Sequence, residues 1–422
     1  MNQYMLGLQV PVKKIFLVIT YYILLISIPV QGQNNLLGFR ILGNKKKVTI
    51  PFENHNNLIV IPVIVNDAIP LKFVVDTGVR TAILTDPIFS DILNIPFTRK
   101  ISILGADGLT TIDAFVANNI SFRMPGIRGQ GQALLVLKED YLLLSKTLGA
   151  DVHGIMGYEL FSRFVITINY DKNILTLHEP SEFRPPRSSK KIPIEIIDTK
   201  PYIKTFITLE DGVTIDAKLM MDTGASHSLL LNLSSDERLN LPQNVVAANL
   251  GRGLGGDIDG YLGRINGLTL GMYKFKDIIV SFPEGSTYNT YLERTGRLGT
   301  LGGGIIGRFN ITFDYFNEMI YLRKNRQFYE KFEYNMSGLD VIAEGPSFNK
   351  FIINGVVKNS NAEKAGILPG DIIKMINYST TYGLTINEIN NILRSKNNKK
   401  VSLVLERNGE KIKKKYKLQR IL

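Results

Sequence analysis

Cysteine is absent from the 422 residues, which removes thiol nucleophiles, thiolate-ligated zinc and disulfides, so the fold must stand on burial and hydrogen bonding. Histidine is scarce. His55, His153, His178 and His227 are scattered without metal-ligand spacing and read as surface or packing residues, so neither a metal nor another cofactor is expected. The formal charge of +12 is not gathered into a basic stripe interleaved with aromatics; it is spread along the chain and thickens around residues 411–417. That pattern reads as a solvated basic surface, with no nucleic-acid partner. A hydrophobic content of 44% argues against disorder, and the length suffices for about three ordinary domains.

Residues 1–32 read as an export signal: Lys13-Lys14 supplies positive charge, 15–30 is an apolar run, and Val30-Gln31-Gly32 is a small-residue boundary. The run is short for a membrane span. The mature chain is therefore expected to begin near Gln33 and to work outside the cytoplasm, as a periplasmic, surface or secreted protein. Retention of the run would make it a membrane anchor.

Short runs rich in Val, Ile, Phe and Thr, separated by Gly, Asn, Asp and Pro, then dominate the chain, at 58–65, 72–75, 114–122 and 164–177 and again at 203–209, 217–221, 261–270, 276–282 and 309–322. The chain should be mainly β. Two of these runs end in Asp-Thr-Gly, as Val74-Val75-Asp76-Thr77-Gly78 and Met220-Met221-Asp222-Thr223-Gly224. One such tripeptide is an ordinary tight turn, but two copies behind matching strands indicate a duplicated unit in which each half delivers one carboxylate.

Further blocks recur in the same order. Gly154-Ile155-Met156-Gly157 is matched to Gly304-Ile305-Ile306-Gly307, each read as a buried strand, and the stretch from Arg163 to Tyr170 to that from Arg308 to Tyr315. On this alignment Tyr158-Glu159-Leu160-Phe161-Ser162 has no counterpart, because Gly307 runs directly into Arg308. A helical turn is therefore predicted in the first half only, leaving apolar surface in the second for later segments to cover. Each half also has a glycine-bearing segment suited to a hairpin tip, with Gly105 and Gly108 in one and Gly253 and Gly255 in the other. The run from Glu182 to Lys191, with Pro185-Pro186, cannot join a sheet interior and reads as a linker.

The paired Asp-Thr-Gly turns, the glycine-tipped hairpins and the apolar-apolar-Gly strands resemble the aspartic peptidases, specifically the retropepsin-like lobe, over about residues 58–322. The resemblance implies two β-barrel lobes in tandem, with Asp76 and Asp222 as the catalytic pair. Thr77 and Thr223 would cross-brace the turns, Gly78 and Gly224 would admit substrate, Ser226 would supply the hydroxyl favoured after the second turn, and Gly105, Gly108, Gly253 and Gly255 would tip the flaps. The implied substrate is a polypeptide. One departure stands out: Val79-Arg80 follows the first turn where Ala225-Ser226 follows the second, which removes a hydroxyl near Asp76.

After a polar stretch, 323–337, the residues Phe351 to Val357 read as a strand, Ser360 to Ile367 as a short helix closed by Gly366, and Leu368-Pro369-Gly370-Asp371 as a turn into another strand. This pattern resembles a small α+β PDZ domain, 338–422. The resemblance implies a groove in which a peptide C-terminus adds as a strand beside Leu339 to Ala343, Val341 included, with its carboxylate near Ser337-Gly338-Leu339. The expected order is signal 1–32, lobe one 33–181, linker 182–200, lobe two 201–322, linker 323–337 and PDZ domain 338–422. Two functions compete: an exported aspartic endopeptidase, favoured by two intact Asp-Thr-Gly turns, and a non-catalytic peptide-binding pseudoprotease, favoured by Val79-Arg80.

Overall fold

The structure, a computed structural model, describes residues 37–105, 110–284 and 295–422; the export-signal segment and Gly108 lie outside these residues. Among the described residues the fold is mainly β, as the alternating and fully apolar runs imply. In lobe one Leu58–Val65 pairs antiparallel with Ile69–Val75, and Ile69–Val75 lies parallel to Gly154–Met156. Lobe two repeats this: Lys200–Thr208 pairs with Thr214–Met221, which lies parallel to Gly299–Leu301. The strands that end at the aspartates are buried on both faces at their last three residues, Phe73 to Val75 and Leu219 to Met221.

Local chemistry sets the approach to each aspartate. Asn56-Asn57 and Asp198-Thr199 hold two successive left-handed residues, the turn whose twist suits a two-residue hairpin. Ion pairs then clip the hairpins at equivalent places, Lys72 to Glu53 at 2.7 Å and Lys218 to Glu195 at 2.7 Å.

The lobes are joined by a sheet drawn from both, in the order Lys190–Pro193, Met319–Lys324, Phe309–Asp314, Val165–Asn169, Ile174–His178, Lys47–Pro51. Its centre is a pairing of Val165–Asn169 with Phe309–Asp314, where Thr167 faces Thr312 with hydroxyls 2.8 Å apart. One apolar core runs through both lobes, including Phe73, Phe122, Phe161, Phe282, Phe309 and Phe313. Each such ring contributes roughly 1.5–3 kcal/mol by leaving water. With no disulfide available, this shared core fixes the lobes to one another.

Four expectations are corrected. Gly304-Ile305-Ile306-Gly307 is not a strand: Gly303–Ile306 is a helical turn, and the strand beside Asp222 is Gly299–Leu301. The turn in lobe one, Tyr158–Phe161, therefore has a full counterpart, and no residues are missing from lobe two. The run 182–191 is not wholly linker either, since Lys190–Pro193 forms an edge strand, where one side of the backbone needs no partner strand, and Phe183 is buried. Residues 323–337 are packed rather than extended: Phe328 and Phe332 join the main core, and the Arg308 guanidinium lies 3.7 Å over the Phe332 ring while donating to the carbonyls of Gln327 and Glu330.

The C-terminal region has its own core and a sheet running Leu339–Glu344, Lys350–Val356, Ile372–Ile376, Lys400–Arg407, Glu410–Lys417. Its helix Ile386–Leu393 starts with a capping box between Thr385 and Glu388. Asp371 is buried against Arg407, with contacts of 2.6 and 2.8 Å; burial opposes its charge, but the guanidinium hydrogen bonds prevail and hold its carboxyl below the usual range.

Candidate active site

Each aspartate is held by backbone from its parallel neighbour. Asp76 N–H donates to the Met156 carbonyl at 2.8 Å, and Asp222 N–H to that of Leu301 at 2.9 Å. The threonines then lock the turns across the lobe boundary. Thr77 N–H donates to Thr223 Oγ1 and Thr223 N–H to Thr77 Oγ1, both at 3.1 Å, while the hydroxyls donate onward to the Met221 and Val75 carbonyls at 2.7 and 2.8 Å. Both threonines are buried, so all four groups depend on each other for satisfaction.

This lock brings the carboxylates together. Gly78 N–H donates to Asp76 Oδ1 at 2.6 Å and Gly224 N–H to Asp222 Oδ1 at 2.8 Å. A Cβ on Gly224 would stand 2.3 Å from Asp76 Cγ, and one on Gly78 would stand 3.4 Å from Asp222 Oδ2. Glycine is required here by close approach. Burial raises the Asp76 pKa well above the ordinary carboxylate value, and the Asp222 charge and a hydrogen bond between the two carboxyls raise it further. Such a pair retains a proton that it shares.

Beside the dyad, a ring N–H of His227 donates to the Thr300 backbone carbonyl; burial lowers its pKa, the Asp222 charge and this hydrogen bond oppose the lowering, and its Nε2 has no partner among the described residues. Sequence reasoning set this residue aside. Lys200 was also missed, although it interacts electrostatically with both aspartates.

The remaining predicted residues fall as follows. Ser226 meets lobe one through its backbone carbonyl, which accepts from Asn57 Nδ2 at 3.1 Å; Arg80, in the equivalent place of lobe one, is exposed, and Val79 packs into apolar clusters. Gly105 N–H donates to the Thr110 carbonyl at 2.7 Å at the turn end of the hairpin formed by Phe97–Leu104 and Thr111–Met124. Gly253 pairs with Gly256 in the lobe-two hairpin, leaving Leu254-Gly255 as its tip. Leu254 packs against the lobe-one clusters that contain Leu58 and Ile83, and Arg252 Nε donates to the Tyr141 carbonyl at 2.6 Å. The lobe-two flap therefore lies on lobe one.

In the C-terminal domain Gly338 is left-handed and its carbonyl accepts from Val357, while Leu339 N–H donates to Ser337 Oγ at 3.1 Å and Val341 is buried in the core. The amide expected to meet a peptide carboxylate is thus engaged internally. At the other end of the Leu339–Glu344 strand, lobe one covers the groove, since a Cβ on Gly149 would stand 2.8 Å from Ile386 Cγ2 and 3.2 Å from Ala343 Cβ. A cavity of about 440 Å³ lies at this junction, lined by Asp86, Asp140, Asp151, His153 and Glu344, away from the dyad.

An aspartyl protease family model matches residues 61–160 and again 207–308, each span holding one Asp-Thr-Gly turn, and a PDZ domain model matches 352–407. The chain carries two aspartyl protease-like domains followed by a PDZ domain. It is also 29% identical over 132 residues to the carboxy-terminal processing protease CtpB of Bacillus subtilis (strain 168), covering 31% of this chain and 27% of that protein. A solved photosystem II D1 C-terminal processing protease matches at 22% identity over 20% of this chain and 23% of that one, with a TM-score of 0.19. The chain thus spans about a quarter of the length of these relatives.

Proposed function

We propose that this protein is an exported aspartic endopeptidase that hydrolyses polypeptides with water activated between Asp76 and Asp222. The observation that carries this reading is the abutment of the two carboxyls, one with a raised pKa, across a threonine lock. With one proton between them, the ionised carboxylate takes a proton from water as it attacks the peptide carbonyl, and the protonated carboxyl hydrogen-bonds the carbonyl oxygen. The proton that water gives up returns to the leaving nitrogen as the C–N bond breaks. The flap tip at Leu254, lying on lobe one, supports a cleft that closes over an extended chain. The PDZ domain would hold a peptide or substrate segment in addition. The Bacillus relative is by name a carboxy-terminal processing protease, which accords with a polypeptide substrate.

Digestion of a peptide library by purified protein, from acid to neutral pH, tests the reading. Cleavage by wild type that is lowered by about a thousandfold in folded Asp76→Asn and Asp222→Asn supports it; cleavage that survives either substitution at close to the wild-type rate refutes it.

A further inference from the structure

The two lobes repeat one backbone around the dyad but clothe it differently. Directly opposed residues of an antiparallel pair share a face, and alternate residues along a strand return to that face. In lobe one Val60 lies opposite Val74, and the same register carried one pleat further sets Leu58 opposite Asp76. Ile155 lies beside Val74 on the parallel strand. This face is apolar throughout, and Leu142 and Leu148 pack onto it.

In lobe two Tyr202 lies opposite Met220, Thr300 lies beside Met220, and the same continuation sets Lys200 opposite Asp222. Arg297, two residues before Gly299, takes the place that Val152 holds before Gly154. Where lobe one has Leu58, Val60 and Val152, lobe two has Lys200, Tyr202 and Arg297. The ammonium of Lys200 interacts with Arg297, with both catalytic carboxylates and with Asp198 at the hairpin tip. Arg297 hydrogen-bonds Tyr202 and reaches the Met220 sulfur at 2.9 Å, yet its Nε is buried with no hydrogen-bond partner among the described residues. Two neighbouring cations, one with a buried donor unmet, are stabilised by an anion placed between them.

We propose that Lys200 and Arg297 form a cationic subsite on the lobe-two side of the dyad, selecting substrates with an aspartate or glutamate close to the scissile bond. The inference rests on the endopeptidase reading and adds a substrate class to it. A chain lying across the dyad meets an apolar wall on the lobe-one flank and two cations on the other, so the preferred sequence is apolar on one side of the cut and acidic on the other. Among the described residues, the lobe-one cluster of Leu58, Val60, Val74, Val152 and Ile155 carries no charge to reverse this polarity.

Pairs of peptides identical except for Glu or Gln beside the cut provide the test, with kcat/KM measured on the full-length protein. Wild type should favour Glu by about tenfold, the scale of one charge-assisted contact, and the ratio should shrink as salt is raised. Lys200→Leu, which installs the lobe-one residue, and the milder Lys200→Gln should each bring the ratio close to one. A wild-type ratio of one, or a ratio that persists in both variants, overturns the subsite. Binding of the same peptides to Asp76→Asn protein separates the two claims. Tighter binding of Glu peptides when the wild type cleaves nothing keeps the subsite and removes the endopeptidase reading; equal binding alongside wild-type cleavage does the reverse.

Discussion

Lobe one and lobe two present Asp76 and Asp222 through the same strand order, the same left-handed pair before the entering hairpin and the same parallel neighbour. Around that frame they diverge. Glu159 in lobe one accepts from Ala82 N–H at 2.5 Å, and burial raises its pKa; the equivalent place in lobe two is Gly304, which packs against Ser228. Val79 is absorbed into apolar clusters, whereas Ala225 and Ser226 leave the second turn slim. The difference teaches that the symmetry that makes two carboxylates meet is that of the backbone and of the Asp-Thr-Gly turns, whose threonine hydroxyls bond main chain across the lobes and whose glycines admit the carboxyls. Side-chain symmetry beyond those turns is dispensable, and its loss leaves two unlike surroundings on which selectivity can be built.

The largest expected effect tests the part that is symmetric. Asp76→Asn and Asp222→Asn should each lower kcat by about a thousandfold, the scale of one proton-transfer role, with KM little changed. Unequal residual rates would break the equivalence of the two lobes at the chemistry itself. Next comes the lock: Thr77→Val and Thr223→Val each leave a buried carbonyl and a buried amide unmet, and each should cost roughly 2–3 kcal/mol in urea unfolding. The double variant should lose less than the sum, since the four bonds share partners; strict additivity would mean that the threonines act separately.

A smaller difference sharpens the comparison. Gly224→Ala places a methyl 2.3 Å from Asp76 Cγ, whereas the nearest atoms to a methyl in Gly78→Ala are Asp76 Oδ1 at 3.0 Å, Asp222 Oδ2 at 3.4 Å and Asp222 Cγ at 3.5 Å. The first should be the more destabilising by about 1–2 kcal/mol, on the scale of overpacking, and equal midpoints in urea would contradict the tighter second turn.

The smallest effect is in pH. Asp76 has a folded pKa raised above the ordinary 3.8, so the stability it contributes is fully present below 3.8 and is lost as pH rises through the shifted value. Wild type should therefore lose stability relative to Asp76→Asn across that window, followed by unfolding at a series of pH values. Parallel curves would show that the Asp76 carboxyl titrates alike in the folded and unfolded chains.

Much of this site was readable before any coordinates. Two Asp-Thr-Gly turns behind apolar strands announce a dyad, and the apolar runs at 58–65 and 203–209 announce the strands that lead to it. What misled was the likeness of Gly304-Ile305-Ile306-Gly307 to Gly154-Ile155-Met156-Gly157. Short apolar runs flanked by glycine suit a strand or a helical turn equally. The choice was made by a hydrogen bond, since Asp222 N–H takes the carbonyl of Leu301, and this hands the strand to Gly299–Leu301 and leaves Gly303–Ile306 to coil. Phe328 and Phe332 were hidden for a related reason, because two aromatics in a charged stretch show no period, and only the site above Tyr273, Phe275 and Phe309 makes them core.

By itself, the sequence determined the duplication, the two carboxylates, the glycines that let them approach and the class of the C-terminal domain, because each depends on local chemistry within a few residues. Tertiary structure alone decided which residues become equivalent. Lys200 and Leu58 share no motif and lie in strands of different composition, yet each stands opposite the aspartate of an Asp-Thr-Gly turn once the register is set. Arg297 joins Lys200 only through the parallel pairing of Gly299–Leu301 with Thr214–Met221. Register is a long-range choice made by burying one face of every strand at once, and for that reason the residues that flank the two aspartates could not be read along the chain.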